Sequence, residues 1–194
     1  NLTIKQGSPA AIAQMVSNGE ADIAIVTERI DDHPELSKLT CDEWNHAVIV
    51  PKEHPLLECM NPLSIEDLAS FPLITYEFAF NQGSSIARAF NKAHLDNPDV
   101  VLSAADTDVL KTYVRLGLGV GLMAKMAFDP EKDADLELVD AAHLFEPSPI
   151  WIAVRSDTYL RGYTYDFIEM FSPKLTRDVV DRILYTPVVE DFSI

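Results

Sequence analysis

Basic residues are scarce in this sequence. Fifteen Lys+Arg stand against 31 Asp+Glu, a formal net charge of −16 over 194 residues. Nucleic-acid binders need clustered cations to displace counterions from phosphates, so this chain alone is not expected to grip DNA. Cysteine is scarcer still. Cys41 and Cys59 are too few for a disulfide framework and fit a reducing compartment. Long apolar runs are missing too: stretches such as residues 23–26 fall far short of the roughly 20 residues that span a bilayer. The opening residues have neither the charged nor the apolar region of a signal peptide. With no Met at its start, the sequence is expected to be a piece of a longer chain.

Patterns that carry chemistry are equally thin. His33, His46, His54, His94 and His143 are scattered, without H-x-x-x-H spacing or any C-x-x-C partner. No metal site and no cofactor are therefore expected. Gly83-Ser84-Ser85 lacks the second glycine of a nucleophile elbow. In so acidic a chain, Asp106 with Asp108 says little about acid–base catalysis. The sequence gives no reason to expect an enzyme.

What is present is ordinary globular composition, 47% hydrophobic and 24% charged, in a chain long enough for two small lobes. Leu2 and Ile4 alternate with Thr3 and Lys5 as in a half-buried strand. Gln6-Gly7 breaks it, Ser8 suits an N-cap and Pro9 a first helical position. Ile12, Met15 and Val16 share a helical face, and Gly19 is placed to end that helix. Residues 21–26 are apolar on both sides, which predicts a strand buried in a parallel sheet. Residues 39–50 predict a strand that leaves the first lobe. In the second lobe, Ser64 to Asp67 resembles a capping box, residues 72–76 a strand, and Ser84 a cap for a helix facing inward with Ile86 and Phe90. A strand at 100–102 follows, then a helix capped by Asp106 or Thr107.

The run 116–121, Leu-Gly-Leu-Gly-Val-Gly, superficially resembles a dinucleotide fingerprint but follows a helix and opens a strand, the wrong order. It predicts a helix stop with close helix–strand packing. Residues 129–140 are acidic and predict a solvated loop. A strand at 150–154 returns to the first lobe. A helix over 159–171 with Leu160, Tyr163, Phe167 and Met170 or Phe171 inward, and a last helix over 175–184, complete the chain. The expected fold class is α/β.

Hydroxyl, amide or carboxylate side chains recur at helix starts: Ser8 after Gln6-Gly7, Asn81 to Ser84, and Asp106-Thr107. Each can simply cap its helix. Unpaired N–H groups at such ends also carry partial positive charge, so converging ends make an anion receptor without lysine or arginine. Thr27, at the carboxyl end of its predicted strand, falls where ligands collect in open α/β sheets.

The whole chain resembles the effector-binding part of LysR-type transcriptional regulators, most closely the CysB/Cbl branch of sulfur assimilation. The matching stretches include Gln6 to Pro9, Ala21-Asp22 through Thr27-Glu28, Trp44-Asn45, His54-Pro55-Leu56, and Pro72-Leu73 with Thr75-Tyr76. Lys111 to Gly121 (Lys-Thr-Tyr-Val-Arg-Leu-Gly-Leu-Gly-Val-Gly) and Leu175 to Asp181 (Leu-Thr-Arg-Asp-Val-Val-Asp) are the branch-specific stretches. The resemblance implies a periplasmic-binding-protein-like fold: two Rossmann-like lobes joined by two crossover strands, with a small-molecule cleft between them. Lobe I would hold residues 1–46 and 148–194, and lobe II residues 47–147. It further implies that a winged helix-turn-helix, a linker helix and the first strand and helix of lobe I precede Asn1. DNA contact would then come only through that missing domain, in a cytoplasmic homodimer or homotetramer with no membrane association.

Carried over residue by residue, Thr27 matches a pocket threonine and Trp44 a tryptophan near the inducer, although a buried tryptophan equally suits a lobe-boundary core. Gln6, Gly7 and Ser8 line the same edge. Asn81 stands where better-known members have threonine, and an amide still bonds an anion or a carboxamide. Thr75, Ser84, Asp106 and Thr107 complete the candidate set. The implied effector is an acetylserine, sulfate, thiosulfate or adenylyl sulfate. The alternative reading is a periplasmic solute-binding protein of the same fold.

Overall fold

The computed structural model describes residues 2–27, 33–59 and 62–185. It divides into two compact units. One is formed by the described residues of Asn1–Glu43 with those of Pro149–Ile194, and the other by Trp44–Ser148. The first is discontinuous in sequence; the second is continuous.

In the discontinuous unit, α1 (Pro9–Ser17) starts where expected. Ser8 is its N-cap and accepts from the Ala11 N–H at 3.3 Å, and Pro9 follows at the first helical position. Gly19 ends the turn at φ +75°, a region that favours glycine. Strands β1 (Ala24–Val26), β2 (Leu36–Trp44) and β8 (Ser148–Arg155) form a sheet of order β1-β8-β2. Ala13 and Val16 of α1 are buried against Ala24, Val26, Leu36 and Ala153. Helices α5 (Gly162–Phe171) and α6 (Arg177–Tyr185) complete the unit.

The continuous unit is a five-stranded sheet of order β5-β4-β6-β3-β7. Its strands are β3 (His46–Pro51), β4 (Leu73–Tyr76), β5 (Val100–Ala104), β6 (Val120–Ala124) and β7 (Leu136–Asp140). Strands β4, β5 and β6 are parallel, whereas β3 pairs antiparallel with β6 and β7. Alternation along the strands sends Val48, Val50, Leu73, Val120 and Leu122 to one face, packed with Ile86 and Phe90 of α3 (Ser85–Lys92) and Leu68 of α2 (Ile65–Ala69). Ile49, Ile74 and Met123 point to the other face, against Leu110 and Val114 of α4 (Thr107–Arg115). The sequence order strand–helix–strand thus becomes a sheet covered on both sides.

The glycine run behaves as a stop and a packing device. Gly117 takes φ +73° just past α4. A Cβ on Gly121 would stand 2.6 Å from Ile49, 2.7 Å from Val114 and 2.9 Å from Leu110, so only glycine lets α4 lie this close to β6.

Several expectations need correction. Residues 2–8 form no strand, and Leu2 and Ile4 are 72% and 77% exposed: alternation without a hydrogen-bonded neighbour does not make a strand. The strand expected over 21–26 is shorter. It sits at an edge, pairs antiparallel with β8 and exposes Ile25. Residues 39–50 are two strands, broken at Asn45. The acidic segment 129–140 is no plain solvated loop, because it contains β7 and the 2%-exposed Asp133. Helix α5 is rotated from expectation, burying Thr164, Tyr165 and Ile168 while Tyr163 and Met170 face water. There the Tyr165 hydroxyl donates to Asp181 of α6, and the Arg177 guanidinium lies 4.6 Å from the Tyr165 ring centre.

Candidate functional site

Parallel pairing of β4 with β5, in register Tyr76↔Ala104, places their carboxyl ends side by side. The helix that follows each strand therefore begins at the same edge of the continuous unit's sheet. Ser84 caps α3, accepting from the Ala87 N–H at 3.0 Å and donating to the Ala79 carbonyl at 2.5 Å. Asp106 caps α4, accepting from the Val109 N–H at 2.9 Å. The end of β4 meets the start of α4 through the Tyr76 and Thr107 hydroxyls, 2.8 Å apart. Burial pushes the Tyr76 hydroxyl pKa up, the nearby Asp106 charge adds to this, and the Thr107 bond opposes it. Asn81 is exposed on the intervening loop. Its backbone N–H donates to the Phe78 carbonyl and its carbonyl accepts from the Ser84 N–H. A hollow of about 520 Å³ lies beside it, lined by Phe80, Gln82, Arg88, Asn91 and Ser103 among others.

Asn81 and Ser84 thus lie at the start of α3, and Asp106 and Thr107 at the start of α4. Thr75 is at neither. It is fully buried and its hydroxyl donates to the Leu122 carbonyl at 3.0 Å, so it ties β4 to β6 inside the sheet instead of presenting a ligand contact.

Trp44 is 5% exposed and lies ring to ring with His46, centroids 4.3 Å apart; His46 in turn lies 5.1 Å from Phe145. Residues two apart on an extended chain share a face, which is why the Trp44 and His46 rings meet, tilted by 52°. Trp44 Nε1 and His46 Nδ1 are buried without a hydrogen-bond partner among the described residues. Burial holds the His46 pKa down at about 4, so its imidazole is neutral.

In the discontinuous unit, Gln6, Gly7 and Ser8 are exposed at the start of α1. The chain reverses after α1 through bonds from the Glu20 and Ala21 N–H groups to the Met15 carbonyl. Thr27, directly after β1, is half-buried.

Sequence reasoning missed a buried ionic cluster. Lys111, 6% exposed, donates to Asp133 at 2.5 Å and to the Ala127 carbonyl at 2.6 Å. Arg115, one helical turn on, donates to Asp133 and Asp135 at 2.8 Å each. Burial alone would raise the Asp133 pKa, but hydrogen bonds from Lys111, the Asp129 backbone and Arg115 hold it below its ordinary value. The signal was available: two cations spaced i, i+4 on one helix, and an alternation of aspartates downstream. Both cysteines are free, and among the described residues no three His, Cys, Asp or Glu gather as a metal site.

Sheet order, strand–helix alternation and sequence agree on the class. The LysR substrate binding domain family matches residues 1–176, and the chain belongs to it. It is 48% identical to the HTH-type transcriptional regulator CysB of Burkholderia cenocepacia over 184 residues, 95% of this chain and 58% of that protein. Against CysB of Haemophilus influenzae it is 50% identical over 182 residues, 94% of this chain and 55% of that protein. Its structure matches the cofactor-binding domain of the Cbl transcriptional regulator with a TM-score of 0.84 and 37% identity, over 94% of this chain and 79% of that one. The chain thus spans little more than half the length of the curated relatives it matches. Those relatives are transcriptional regulators, not enzymes, and this chain corresponds to an effector-binding domain of the CysB/Cbl kind. No helix among the described residues is long and apolar enough to cross a membrane.

Proposed function

We propose that this domain senses a small metabolite of sulfur and cysteine metabolism, an acylated serine or a sulfur oxyanion such as sulfate, thiosulfate or adenylyl sulfate. Binding changes the activity of a cytoplasmic transcription factor and leaves the ligand chemically unaltered. The effector draws on Gln6, Gly7, Ser8 and Thr27 in lobe I and on Asn81, Ser84, Asp106 and Thr107 in lobe II, with Trp44 beside it. Lobe I comprises residues 1–46 and 148–194, and lobe II residues 47–147. DNA contact belongs to a winged helix-turn-helix outside this chain, in a homodimer or homotetramer.

The observation that carries this reading is the parallel pair β4 and β5, each followed by a capped helix, with Tyr76 at the end of β4 bonded to Thr107 at the start of α4, in a chain about half identical to CysB. Helix starts offer oriented N–H dipoles to an anion, which suits a chain whose net charge is negative. A ligand shifts a conformational equilibrium only by its preference for one state, so binding and response must saturate together. The relatives, named as transcriptional regulators, weigh against a periplasmic solute-binding protein of the same fold.

The test is a titration with N-acetylserine, O-acetylserine, sulfate, thiosulfate and adenylyl sulfate, following tryptophan fluorescence and melting temperature. Saturable change with at least one of them is expected, weakened by Thr107→Val and by Asn81→Ala. No saturable change with any of them overturns the reading.

A further inference from the structure

The discontinuous unit contains a second polar hollow, of about 110 Å³, lined by Gly19, Asp22, Arg155, Thr158, Arg161 and Thr164 among others. At roughly 30 Å³ per water this is room for a few waters or one small oxyanion. It lies at the start of α5, a ten-residue helix whose N-cap position, Arg161, supplies no side-chain cap. The Thr164 and Tyr165 N–H groups turn back to the Arg161 carbonyl, so the N–H groups of Gly162 and Tyr163 are left to face outward.

Three further observations converge on the same spot. Thr164 is 4% exposed and lines the hollow. Among the described residues, Arg155 has only a long 3.9 Å ion pair with the exposed Asp157. Gly19 holds φ +75°, and a Cβ there would stand 2.8 Å from an Arg155 guanidinium nitrogen, so the absent side chain makes the space that the guanidinium fills. In a chain of net charge −16, two arginines, an uncapped helix start and a buried threonine are gathered in one recess. Asp22 is the one carboxylate on its wall, a natural acceptor for an O–H of a protonated ion.

We infer that this recess is a binding site for an inorganic tetrahedral oxyanion, phosphate or sulfate, held by Arg155, Arg161, the Thr164 hydroxyl and the first N–H groups of α5. The site lies wholly within the discontinuous unit. It stands or falls independently of the effector reading above.

The experiment is a titration of the ¹⁵N-labelled chain with sodium phosphate and with sodium sulfate, against sodium chloride at matched ionic strength, following the amide resonances of Gly162, Tyr163 and Thr164. Saturable shifts with phosphate or sulfate and none with chloride are expected. Arg155→Gln and Arg161→Gln should each raise the Kd at least tenfold, and Thr164→Val several-fold. Arg161 is exposed, so its variant keeps the fold, which far-ultraviolet circular dichroism verifies. Linear, chloride-like shifts overturn the assignment, as do saturable shifts that persist unchanged in the Arg155→Gln/Arg161→Gln double variant.

Discussion

Lys111 and Asp133 meet at 2.5 Å with side chains only 8% and 3% exposed, an ion pair almost entirely out of water. With the Arg115 contact to the same carboxylate, it pins both turns of α4 to the segment that leads into β7. Breaking such a pair leaves a buried charge uncompensated, whereas replacing both partners with apolar groups is often neutral. Asp133→Asn is therefore expected to lose about 3–5 kcal/mol of stability in urea unfolding. Lys111→Met/Asp133→Leu should lose much less than the two single changes added together. Strict additivity would show that the pair is not coupled.

His46 gives the domain a pH dependence with a definite sign. Its folded pKa is about 4 against an ordinary 6.5, so between those values the unfolded chain binds the proton that the folded chain refuses. The stability it contributes is complete above pH about 6.5 and declines as pH falls toward 4. The slope is at most about 1.4 kcal/mol per pH unit. His46→Phe should flatten that part of the curve measured by chemical unfolding from pH 4 to 7. An unchanged slope in the variant would assign the acid sensitivity elsewhere.

Gly121→Ala puts a methyl within 3 Å of Ile49, Val114 and Leu110, side chains fixed in the core on two elements. Overpacking of this kind costs about 1–3 kcal/mol. Gly117→Ala meets no atom within 4 Å but must adopt φ +73°, so its cost comes from the backbone alone. Thermal melts of the two variants should place Gly121→Ala lower. The reverse order would mean that α4 can move away from β6 without penalty.

Ser84→Ala removes an acceptor from the Ala87 N–H and a donor to the Ala79 carbonyl at once. Loss of a cap costs about 0.5–2 kcal/mol. Because the same residue borders the candidate effector site, the variant should lose affinity for a saturating effector as well as stability. A melting temperature equal to that of the parent chain would show that the cap is dispensable.

Local grammar was legible wherever one short-range rule acted alone. Ser8-Pro9, the Ser64/Asp67 capping box, Ser84 and Asp106 all cap as read, because a cap depends on neighbours three residues away. The glycine run was read correctly because its order, helix then strand, contradicts a nucleotide loop. Long-range partners were not legible. Antiparallel pairing of β1 with β8 joins residues more than a hundred positions apart, and nothing in residues 21–26 announces it. Asp133 looked like one more surface acid until Lys111 and Arg115, 22 and 18 positions away, were seen to converge on it. In the candidate site, the starts of α3 and α4 after β4 and β5 followed from strand–helix order. The inward placement of Thr75 followed instead from which side of β4 meets β6, a matter of register.

In the sheet of order β1-β8-β2, the middle strand comes from the far end of the chain. As the ribosome delivers the polypeptide from its amino end, β1 and β2 emerge with no partner to zip onto until residues 148–155 have left the exit tunnel. The Trp44–Ser148 segment has all its strands by then and can mature first, so the half whose residues emerge earliest is the last to complete its sheet.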